Sequence, residues 1–258
     1  MNTEEAKRIT HSLIDTFNEA GNVALNLRER GLKKEIKSDN TPVSNGDIEV
    51  NKILIKKISE LTPDIKIISE ENSDHKNDKN LKNFWLIDPI DGTKDYISNK
   101  DEFTLNAALI LDKKPVIGII TAPAKKRIFY SYGRSNSYEL INNQEINLAN
   151  KKKNYDEIRA VSYSNEPNSE ILKIHKKYQI TSHQKMKSSL KFCVIAASEF
   201  DLYVAEPRAC EWDIAAGHAL VVHSGGAVTD FEGNEIYYGK PEFKNTSIII
   251  KNKKLSNG

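Results

Sequence analysis

The apolar and polar positions divide the chain into a first half that begins with two helices and a second half in which strands and helices alternate. From Thr3 to about Arg30 apolar residues recur every three or four positions, which predicts a long amphipathic helix that ends at Gly31. A second helix is expected from Asp47 onward. Its predicted core-facing residues are Ile48, Ile53, Leu54 and Ile58.

Short runs of β-branched and aromatic residues predict the strands. In the first half these runs are residues 65–68, 84–87, 103–111, 115–120, 127–132 and 138–141, and they favour a mainly antiparallel sheet. In the second half strands near 158–162, 201–204 and 226–230 alternate with helices near 169–178, 189–198 and 212–223. Such alternation predicts helices layered on a sheet. The lysine-rich residues 150–156 are the expected boundary between two units, 1–150 and 151–258, and residues 37–47 and 73–82 are predicted to be polar loops or a hairpin.

The most informative stretch is Phe84–Ile97, where an apolar strand runs directly into two carboxylates. Asp88 and Asp91 are separated by Pro89 and Ile90 and are followed by a Gly-Thr turn. Proline cannot continue a central strand, so the backbone is expected to break here and to turn both carboxylates to one side. An exposed β-turn would also fit the two acids alone. Carboxylates at the end of an interior strand are costly unless they are paired or bound to metal, so the stretch favours a divalent metal site.

Further acids stand at the ends or starts of other predicted elements. Glu70-Glu71 ends the strand at residues 65–68, which makes it the second predicted strand to finish in acids. Asp47 and Asp213 each lie in the first turn of a predicted helix, where the helix dipole favours an anion. Each position by itself is also explained as a helix cap or an ordinary exposed acid. Together they predict an acidic rim to which several elements contribute.

Composition and charge exclude several classes of function. The 258 residues carry 38 basic and 36 acidic side chains, and the lysines are scattered, which argues against a nucleic-acid-binding module. No stretch reaches the ~18 apolar residues of a membrane span, and the first residues lack the apolar segment of a secretory signal. The two cysteines, Cys193 and Cys210, are expected to be free thiols in a cytoplasmic protein.

The combined motifs resemble the signature of the inositol monophosphatase superfamily, the lithium-sensitive, magnesium-dependent phosphatases. Residues Asp88–Thr93 match D-P-[IL]-D-G-T in full, and Trp212–Gly217 matches W-D-x-A-[AG]-G. Glu70-Glu71 and Asp47 match two further acidic positions in the same order. The resemblance covers nearly the whole chain. It implies an α+β fold, the layered α-β-α-β-α sandwich of the inositol monophosphatase and fructose-1,6-bisphosphatase type, with two or three Mg²⁺ ions in the site.

The resemblance also assigns roles to individual residues. One ion would be bound by Glu70, Asp88 and the Ile90 carbonyl. A second ion, bridged by Asp88, would be held by Asp91 and Asp213. Asp47 would orient Thr93, and Thr93 would position the attacking water and help to deprotonate it.

Contacts with the substrate follow from the same resemblance. The backbone amides of Gly92 and Thr93, at the start of a short helix, would hold the transferred phosphate. The other implied substrate-binding residues are Ser188, Lys191, Glu211 and Asp213, with His218 near the pocket. Ser188, Lys191 and His218 also have structural alternatives, as a helix cap, a solvated lysine and a packed helix residue.

Within the superfamily, the chain resembles the CysQ-type 3′(2′),5′-bisphosphate nucleotidases. Lys94 after the Gly-Thr pair, Glu102–Asn106 and Ser188–Cys193 carry this resemblance. It implies a monomer or homodimer that converts adenosine 3′,5′-bisphosphate to AMP and phosphate. Three residues, Ala205, Tyr163 and Asn165, replace the usual Arg, Arg and His, so an inositol or sugar monophosphatase is the alternative. A catalytically silent sensor is disfavoured because the acids and Thr93 are all present.

Overall fold

Residues 1–37, 41–72, 78, 81–152 and 156–256 are described in a computed structural model, and within them the chain forms seven α-helices and three β-sheets. The helices are α1 (Thr3–Arg30), α2 (Asn45–Leu61), α3 (Thr93–Ile97), α4 (Ser169–Lys177), α5 (Leu190–Ala196), α6 (Glu211–His223) and α7 (Lys253–Ser256). The predicted end of α1 at Gly31 is confirmed, and the φ of +96° at this residue is one that favours glycine. None of these helices combines the length and the apolar character that a membrane-spanning segment requires.

The larger sheet has seven strands and is mainly antiparallel, as predicted. In spatial order its strands are β3 (Lys66–Ser69), β4 (Phe84–Asp91), β5 (Thr104–Leu111), β6 (Lys114–Ala122), β7 (Arg127–Ser131), β8 (Ser137–Ile141) and β9 (Gln144–Asn147). Strands β3 and β4 are parallel, whereas each later pair is antiparallel. Strand β9 was not predicted from the sequence because most of its side chains are exposed and it contains no apolar run.

The smaller sheet has five strands and mixed directions. In spatial order these are β11 (Ser182–Lys185), β10 (Arg159–Ser162), β12 (Leu202–Ala205), β14 (Ile248–Lys251) and β13 (Ala227–Thr229). Strands β10, β11 and β12 run parallel, and β14 is antiparallel to both of its neighbours. The sequence analysis predicted three of these strands but neither β11 nor β14. A third, two-stranded sheet is the hairpin of β1 (Lys34–Ile36) and β2 (Pro42–Ser44); residues 38–40 of the predicted loop and most of residues 73–82 lie outside the described residues.

Three hydrophobic cores join these elements into five layers. Helices α1 and α2 cover one face of the larger sheet, in a core that includes Phe17, Leu54 and Trp85. The other face of this sheet packs on α5 and α6, which share a core with the smaller sheet. Helix α4 covers the remaining face of the smaller sheet, where Ile171 and Leu202 lie in one core. The order helix, sheet, helix, sheet, helix confirms the predicted layered α+β fold.

Strand β4 is buried on both faces, which explains its continuous apolar run. Trp85 and Ile87 belong to the core formed with α1 and α2. Phe84 and Leu86 belong to the core that contains α6. Because side chains alternate along a strand, Asp88 continues the second set and lies on the α6 side of the sheet.

The predicted break after Asp88 is present as a shift in strand register. Pairing with β5 is interrupted between Asp88 and Asp91, at the position of Pro89, and the strand then continues to Asp91. Gly92 follows with a φ of +92°, and α3 begins at Thr93. The strand therefore delivers both carboxylates, the glycine and the threonine to one edge of the sheet.

One part of the helix prediction was wrong. Ile48 is 39% exposed, whereas Asp47 and Val50 are buried on the inner face of α2. A capping box with Ser44 turns Asp47 inward at the first turn, and this sets the rotation of the whole helix. The predicted core positions Leu54 and Ile58 are confirmed, and the side chain of Ile53 is partly buried.

The proposed division into units 1–150 and 151–258 stays a prediction. The larger sheet ends at Asn147 and the smaller begins, in chain order, at Arg159, on either side of this boundary. Helix α6 nevertheless packs on strands of both sheets, and one core is continuous between the two halves.

Candidate active site

Three carboxylates from distant parts of the chain meet at one point. Asp88 and Asp91 come from the end of β4 and Asp213 from the first turn of α6, and one oxygen of each lies within 4.8 Å of the others. The Oδ1 atom of Asp88 is buried and has no hydrogen-bond partner among the described residues. Like charges at this distance repel, and an orphaned carboxylate oxygen is costly. An all-oxygen set of this kind fits a hard cation such as Mg²⁺.

Close packing of α6 places Asp213 in the cluster. Its Oδ2 atom accepts a hydrogen bond of 2.7 Å from the backbone amide of Cys210, which fixes the carboxylate at the helix start. Further along the helix, a Cβ atom at Gly217 would overlap the ring of Phe192 on α5. The absence of a side chain at Gly217 therefore lets α6 lie close to α5.

Burial and repulsion from neighbouring carboxylates raise the pKa values of Asp88 and Asp213. Burial is the largest cause of the raised pKa of Asp88, and repulsion from Glu70, Asp91 and Asp213 adds to it. The pKa of Asp213 is raised to about 8, again mainly by burial and then by Asp91 and Glu70. Because a metal binds the ionised form, cations and protons compete for this cluster.

Glu70 lies beside the cluster with a lysine that the sequence analysis did not single out. The Glu70 side chain interacts with Asp88, and burial raises its pKa to about 7, although attraction to Lys37 opposes this rise. The Nζ atom of Lys37 lies 2.6 Å from an oxygen of Glu71 and 3.8 Å from an oxygen of Glu70. The two glutamates of the predicted pair therefore have different partners. Glu71 is ion-paired with Lys37, and Glu70 lies beside the acid cluster.

Thr93 and Asp47 form a hydrogen-bonded pair at the edge of the cluster. The Thr93 hydroxyl lies 3.1 Å from Asp47 Oδ1 and 3.0 Å from the Ile90 carbonyl, so it has two acceptors. Asp47 Oδ2 accepts hydrogen bonds of 2.8 and 2.6 Å from the amide and hydroxyl of Ser44. Burial raises the pKa of Asp47, and these hydrogen bonds oppose that rise. A buried carboxylate that accepts a hydrogen bond from a hydroxyl is suited to general-base chemistry.

Ser189 is a site residue that the sequence analysis missed. It is the residue before α5, but its hydroxyl makes no cap hydrogen bond there. Instead Ser189 Oγ lies 2.7 Å from Asp91 Oδ2 and 2.6 Å from the carbonyl oxygen of Asp213, and it accepts a 3.0 Å bond from the Asn106 amide. The serine thereby links β4, β5, α5 and α6. The motif that contains it was recognised, but roles were assigned only to Ser188 and Lys191.

A cleft of about 330 Å³ opens beside the acids. Its lining includes Glu70, Asp91, Gly92, Thr93, Ser188, Lys191 and Asp213, all of which were predicted site residues. Burial lowers the pKa of Lys191 to about 8, against the attraction of Asp91. A buried lysine that lines an acidic cleft is suited to an anionic ligand.

Two predicted residues are placed elsewhere. Among the described residues that line the cleft, neither Glu211 nor His218 is present. Glu211 accepts bonds of 2.8 and 3.0 Å from the amides of Gly239 and Lys240 and is ion-paired with Lys240 at 2.6 Å. His218 Nδ1 lies 3.0 Å from the hydroxyl of Tyr238, in keeping with the alternative of a packed helix residue. The substrate-binding role of Glu211 stays a prediction, and these contacts give it no support.

Comparison with known proteins decides the family. Residues 5–257 match the sequence profile of the inositol monophosphatase family. The chain belongs to this family. The 3′(2′),5′-bisphosphate nucleotidase CysQ of Buchnera aphidicola is 36% identical over 206 residues, which cover 78% of this chain and 76% of that protein. The protein of the same name from Aggregatibacter actinomycetemcomitans is 30% identical over 249 residues, or 93% of both chains.

A solved structure agrees with this family membership. The crystal structure of CysQ from Bacteroides thetaiotaomicron, described as a bacterial member of the inositol monophosphatase family, superposes with a TM-score of 0.77 and 27% identity. The match covers 94% of this chain and 96% of the other. The three clustered acids all come from the two signature motifs of the family. Ser189 and Lys37 lie outside these motifs, and the folding of the chain brings them to the acids.

Proposed function

We propose that this chain is a magnesium-dependent phosphatase that hydrolyses the 3′-phosphate of adenosine 3′,5′-bisphosphate to AMP and phosphate. The observation that carries the proposal is the meeting of Asp88, Asp91 and Asp213 beside the Thr93–Asp47 pair. Similarity to proteins named 3′(2′),5′-bisphosphate nucleotidase supports the substrate.

Two or three Mg²⁺ ions would be held by Glu70, Asp88, the Ile90 carbonyl, Asp91 and Asp213. The unpartnered Oδ1 atom of Asp88 supports this assignment. Bound Mg²⁺ supplies neutralisation of phosphoryl oxygens, a lower pKa for bound water and stabilisation of the leaving oxygen. The all-oxygen donor set suits Mg²⁺ better than a metal that prefers nitrogen or sulfur ligands.

Thr93 and Asp47 would prepare the attacking water. The Thr93 hydroxyl donates toward Asp47 Oδ1, so its lone pairs are available to accept a hydrogen bond from water. As the water attacks phosphorus, its proton passes to Thr93 Oγ1 while the threonine proton passes to Asp47. The raised pKa of Asp47, caused by burial, makes this carboxylate a better proton acceptor than an exposed one.

The rest of the cleft would bind the substrate. The amides of Gly92 and Thr93 would hold the transferred phosphate, and Ser188 and Lys191 would contact the remote part of the substrate. All four residues line the cleft. Lys191 retains its charge near pH 7 even though burial lowers its pKa to about 8, so it can pair with an anionic group.

Phosphate release over a panel of substrates tests the proposal. With Mg²⁺ present, kcat/KM for adenosine 3′,5′-bisphosphate should exceed that for inositol 1-phosphate and for sugar monophosphates by about tenfold or more. EDTA should abolish release, and added Mg²⁺ should restore it. Faster release from inositol 1-phosphate would favour the alternative of an inositol or sugar monophosphatase, to which the presence of Ala205 and Tyr163 in the cleft lining lends support.

Three broader features belong to the same proposal. The chain is proposed to act in the cytoplasm, where thiols stay reduced, and Cys193 is a buried thiol outside any disulfide. It is proposed to be a monomer or homodimer, which light scattering would decide. Lithium is expected to inhibit the phosphatase.

A further inference from the structure

The cleft contains an arginine, Arg208, to which the proposed reaction assigns no role. Arg208 lies in the loop between β12 and α6 and lines the same cleft as Asp91 and Asp213. Ala205, the last residue of β12, also lines the cleft but offers no charge. Any positive charge that this loop presents to a ligand therefore comes from Arg208.

The guanidinium of Arg208 is held on an aromatic ring. Its Cζ atom lies 3.9 Å from the centre of the Tyr163 ring, a stacking distance for a cation–π contact. The Tyr163 hydroxyl donates a 2.8 Å hydrogen bond to Glu206 Oε2, which fixes the ring beneath the guanidinium. Such a platform orients the planar donor group and lowers the entropy that it loses when it binds a ligand.

Among the described residues, the neighbouring carboxylate of Glu206 forms no ion pair with this arginine. Both oxygens of Glu206 are engaged elsewhere, Oε2 with Tyr163 and Oε1 with the side-chain amide of Asn168. Among the described residues, no carboxylate lies within ion-pair distance of Arg208. The guanidinium therefore keeps its hydrogen-bond donors for a group that enters the cleft.

A second cation lies within electrostatic range. Lys191 lines the cleft, and its ammonium group is repelled by Arg208 and attracted by Asp91 and Asp213. Its Nζ atom donates to the Ser188 carbonyl, and no carboxylate among the described residues pairs with it. Two cations without acidic partners in one cleft indicate a site for an anionic group that is separate from the acid cluster.

We infer that Arg208, positioned by Tyr163 and assisted by Lys191, binds a second phosphate group of the substrate. A guanidinium matches two phosphate oxygens at once, so this subsite distinguishes bisphosphorylated from monophosphorylated substrates. The inference rests on the proposed phosphatase function, and it makes Arg208 and Tyr163 determinants of specificity.

Two substrates that differ only in the second phosphate test the inference. Initial rates of Arg208→Met and of the wild type are measured with adenosine 3′,5′-bisphosphate and with adenosine 3′-monophosphate. For the bisphosphate, kcat/KM of the variant should fall about tenfold or more, mainly through KM, because a charge-assisted contact is lost. For the monophosphate, kcat/KM should stay within about twofold of the wild-type value. Arg134→Met, which removes an exposed arginine outside the cleft lining, should change neither.

Two more variants test separately the charge of Arg208, the planar shape of its guanidinium and the supporting ring of Tyr163. Arg208→Lys keeps the charge but loses the planar fork, so it should recover only part of the bisphosphate activity. Tyr163→Leu should also lower kcat/KM selectively for the bisphosphate. In an Arg208→Met background, Tyr163→Leu should cost nothing further, because the platform acts only through the arginine.

Failure of the inference and failure of the proposed function give different results. Equal losses of Arg208→Met on both substrates, or no loss on either, would overturn the role of Arg208 while leaving the wild-type phosphatase intact. If the wild type hydrolyses neither adenosine compound, the proposed substrate is wrong. The same comparison is then made with inositol 1,4-bisphosphate and inositol 1-phosphate, where a selective loss supports the subsite and equal effects overturn it.

Discussion

The hydroxyl of Ser189 lies 2.7 Å from Asp91 Oδ2, which places a neutral donor directly on one of the clustered carboxylates. The same oxygen lies 2.6 Å from the Asp213 carbonyl and accepts a hydrogen bond from Asn106. A serine so placed orients Asp91 relative to the strand and helix that carry the other acids. It acts on the proposed metal site through another residue, as groups beyond the immediate metal ligands commonly do.

Removal of this hydroxyl should weaken the binding of divalent cations. Ser189→Ala is expected to lower Mg²⁺ affinity by about 10- to 100-fold, because Asp91 loses its orienting donor. Isothermal titration with Mg²⁺ measures this loss independently of turnover. Ser12→Ala is a matched control, since that hydroxyl donates to the Arg8 carbonyl within α1 and lies outside the cleft lining. Unchanged affinity in Ser189→Ala would show that the serine has no such role.

Loss of one charge from the cluster should have opposite effects on the metal-free and metal-bound protein. Without metal, Asp91→Asn removes repulsion that raises the pKa values of Asp88 and Asp213, so the melting temperature should rise. With Mg²⁺, most turnover and most of the stabilisation by metal should be lost. Asp64→Asn, at an exposed position, should behave as the wild type. Near-normal activity of Asp91→Asn with Mg²⁺ would contradict the assigned ligand set.

The Thr93 hydroxyl should matter for turnover and not for metal affinity. Thr93→Val keeps the shape of the side chain but removes the donor to Asp47, and kcat should fall by about 10²-fold or more. Thr93→Ser should retain a large part of kcat because it keeps the hydroxyl. Mg²⁺ titration of both variants provides the control, since neither change touches a proposed carboxylate ligand. Equal kcat values for Thr93→Val and wild type would exclude Thr93 from water activation.

The buried histidines on α6 should contribute stability that is lost in mild acid. Burial lowers the pKa of His223 to about 4 and that of His218 to about 3, from the ordinary value of 6.5. Protonation of these histidines favours the unfolded chain, so their contribution to stability is full above pH 6.5 and is lost as the pH falls toward 4. The raised pKa values of Glu70, Asp88 and Asp213 act in the opposite direction. From pH 7.5 to pH 5, His223 alone should cost about 2 kcal/mol of unfolding free energy.

Urea unfolding at these two pH values measures the effect. His223→Gln keeps an acceptor for the 3.2 Å bond from the Gly133 amide but cannot be protonated. Between pH 7.5 and pH 5 its unfolding free energy should therefore rise relative to that of the wild type by about the amount given for His223. An equal change in both proteins would show that His223 does not titrate in this range.

The parts of the fold that the sequence predicted are those with strong apolar patterns. Helix α1 and strands β4 to β6 bury long apolar runs, and their bounds fall close to those expected. Strands β9 and β11 are polar and exposed, so only backbone pairing with a neighbour defines them. The rotation of α2 was wrong at Ile48 because a capping interaction, rather than the apolar pattern, sets it.

The same distinction applies to the candidate site. Asp88, Asp91 and Thr93 lie within six residues, so a local motif could predict that they act together. The contact of Ser189 with Asp91 joins residues 98 positions apart and depends on how α5 docks across the end of β4. The proposed role of Arg208 likewise depends on its contact with Tyr163, which lies far from it in the sequence. Local sequence contains no information on such docking, so these residues could be found only in three dimensions.

Shared binding of divalent cations by the clustered acids is tested most directly by anomalous diffraction from crystals soaked in Mn²⁺, which replaces Mg²⁺ at oxygen-rich sites. Strong anomalous peaks should lie among the carboxylate oxygens of Asp88, Asp91 and Asp213, with Glu70 beside them, and should be lost in Asp91→Asn crystals. Crystals that bind Mn²⁺ only elsewhere, or not at all, while the dissolved enzyme is active with Mn²⁺, would contradict the proposed metal site.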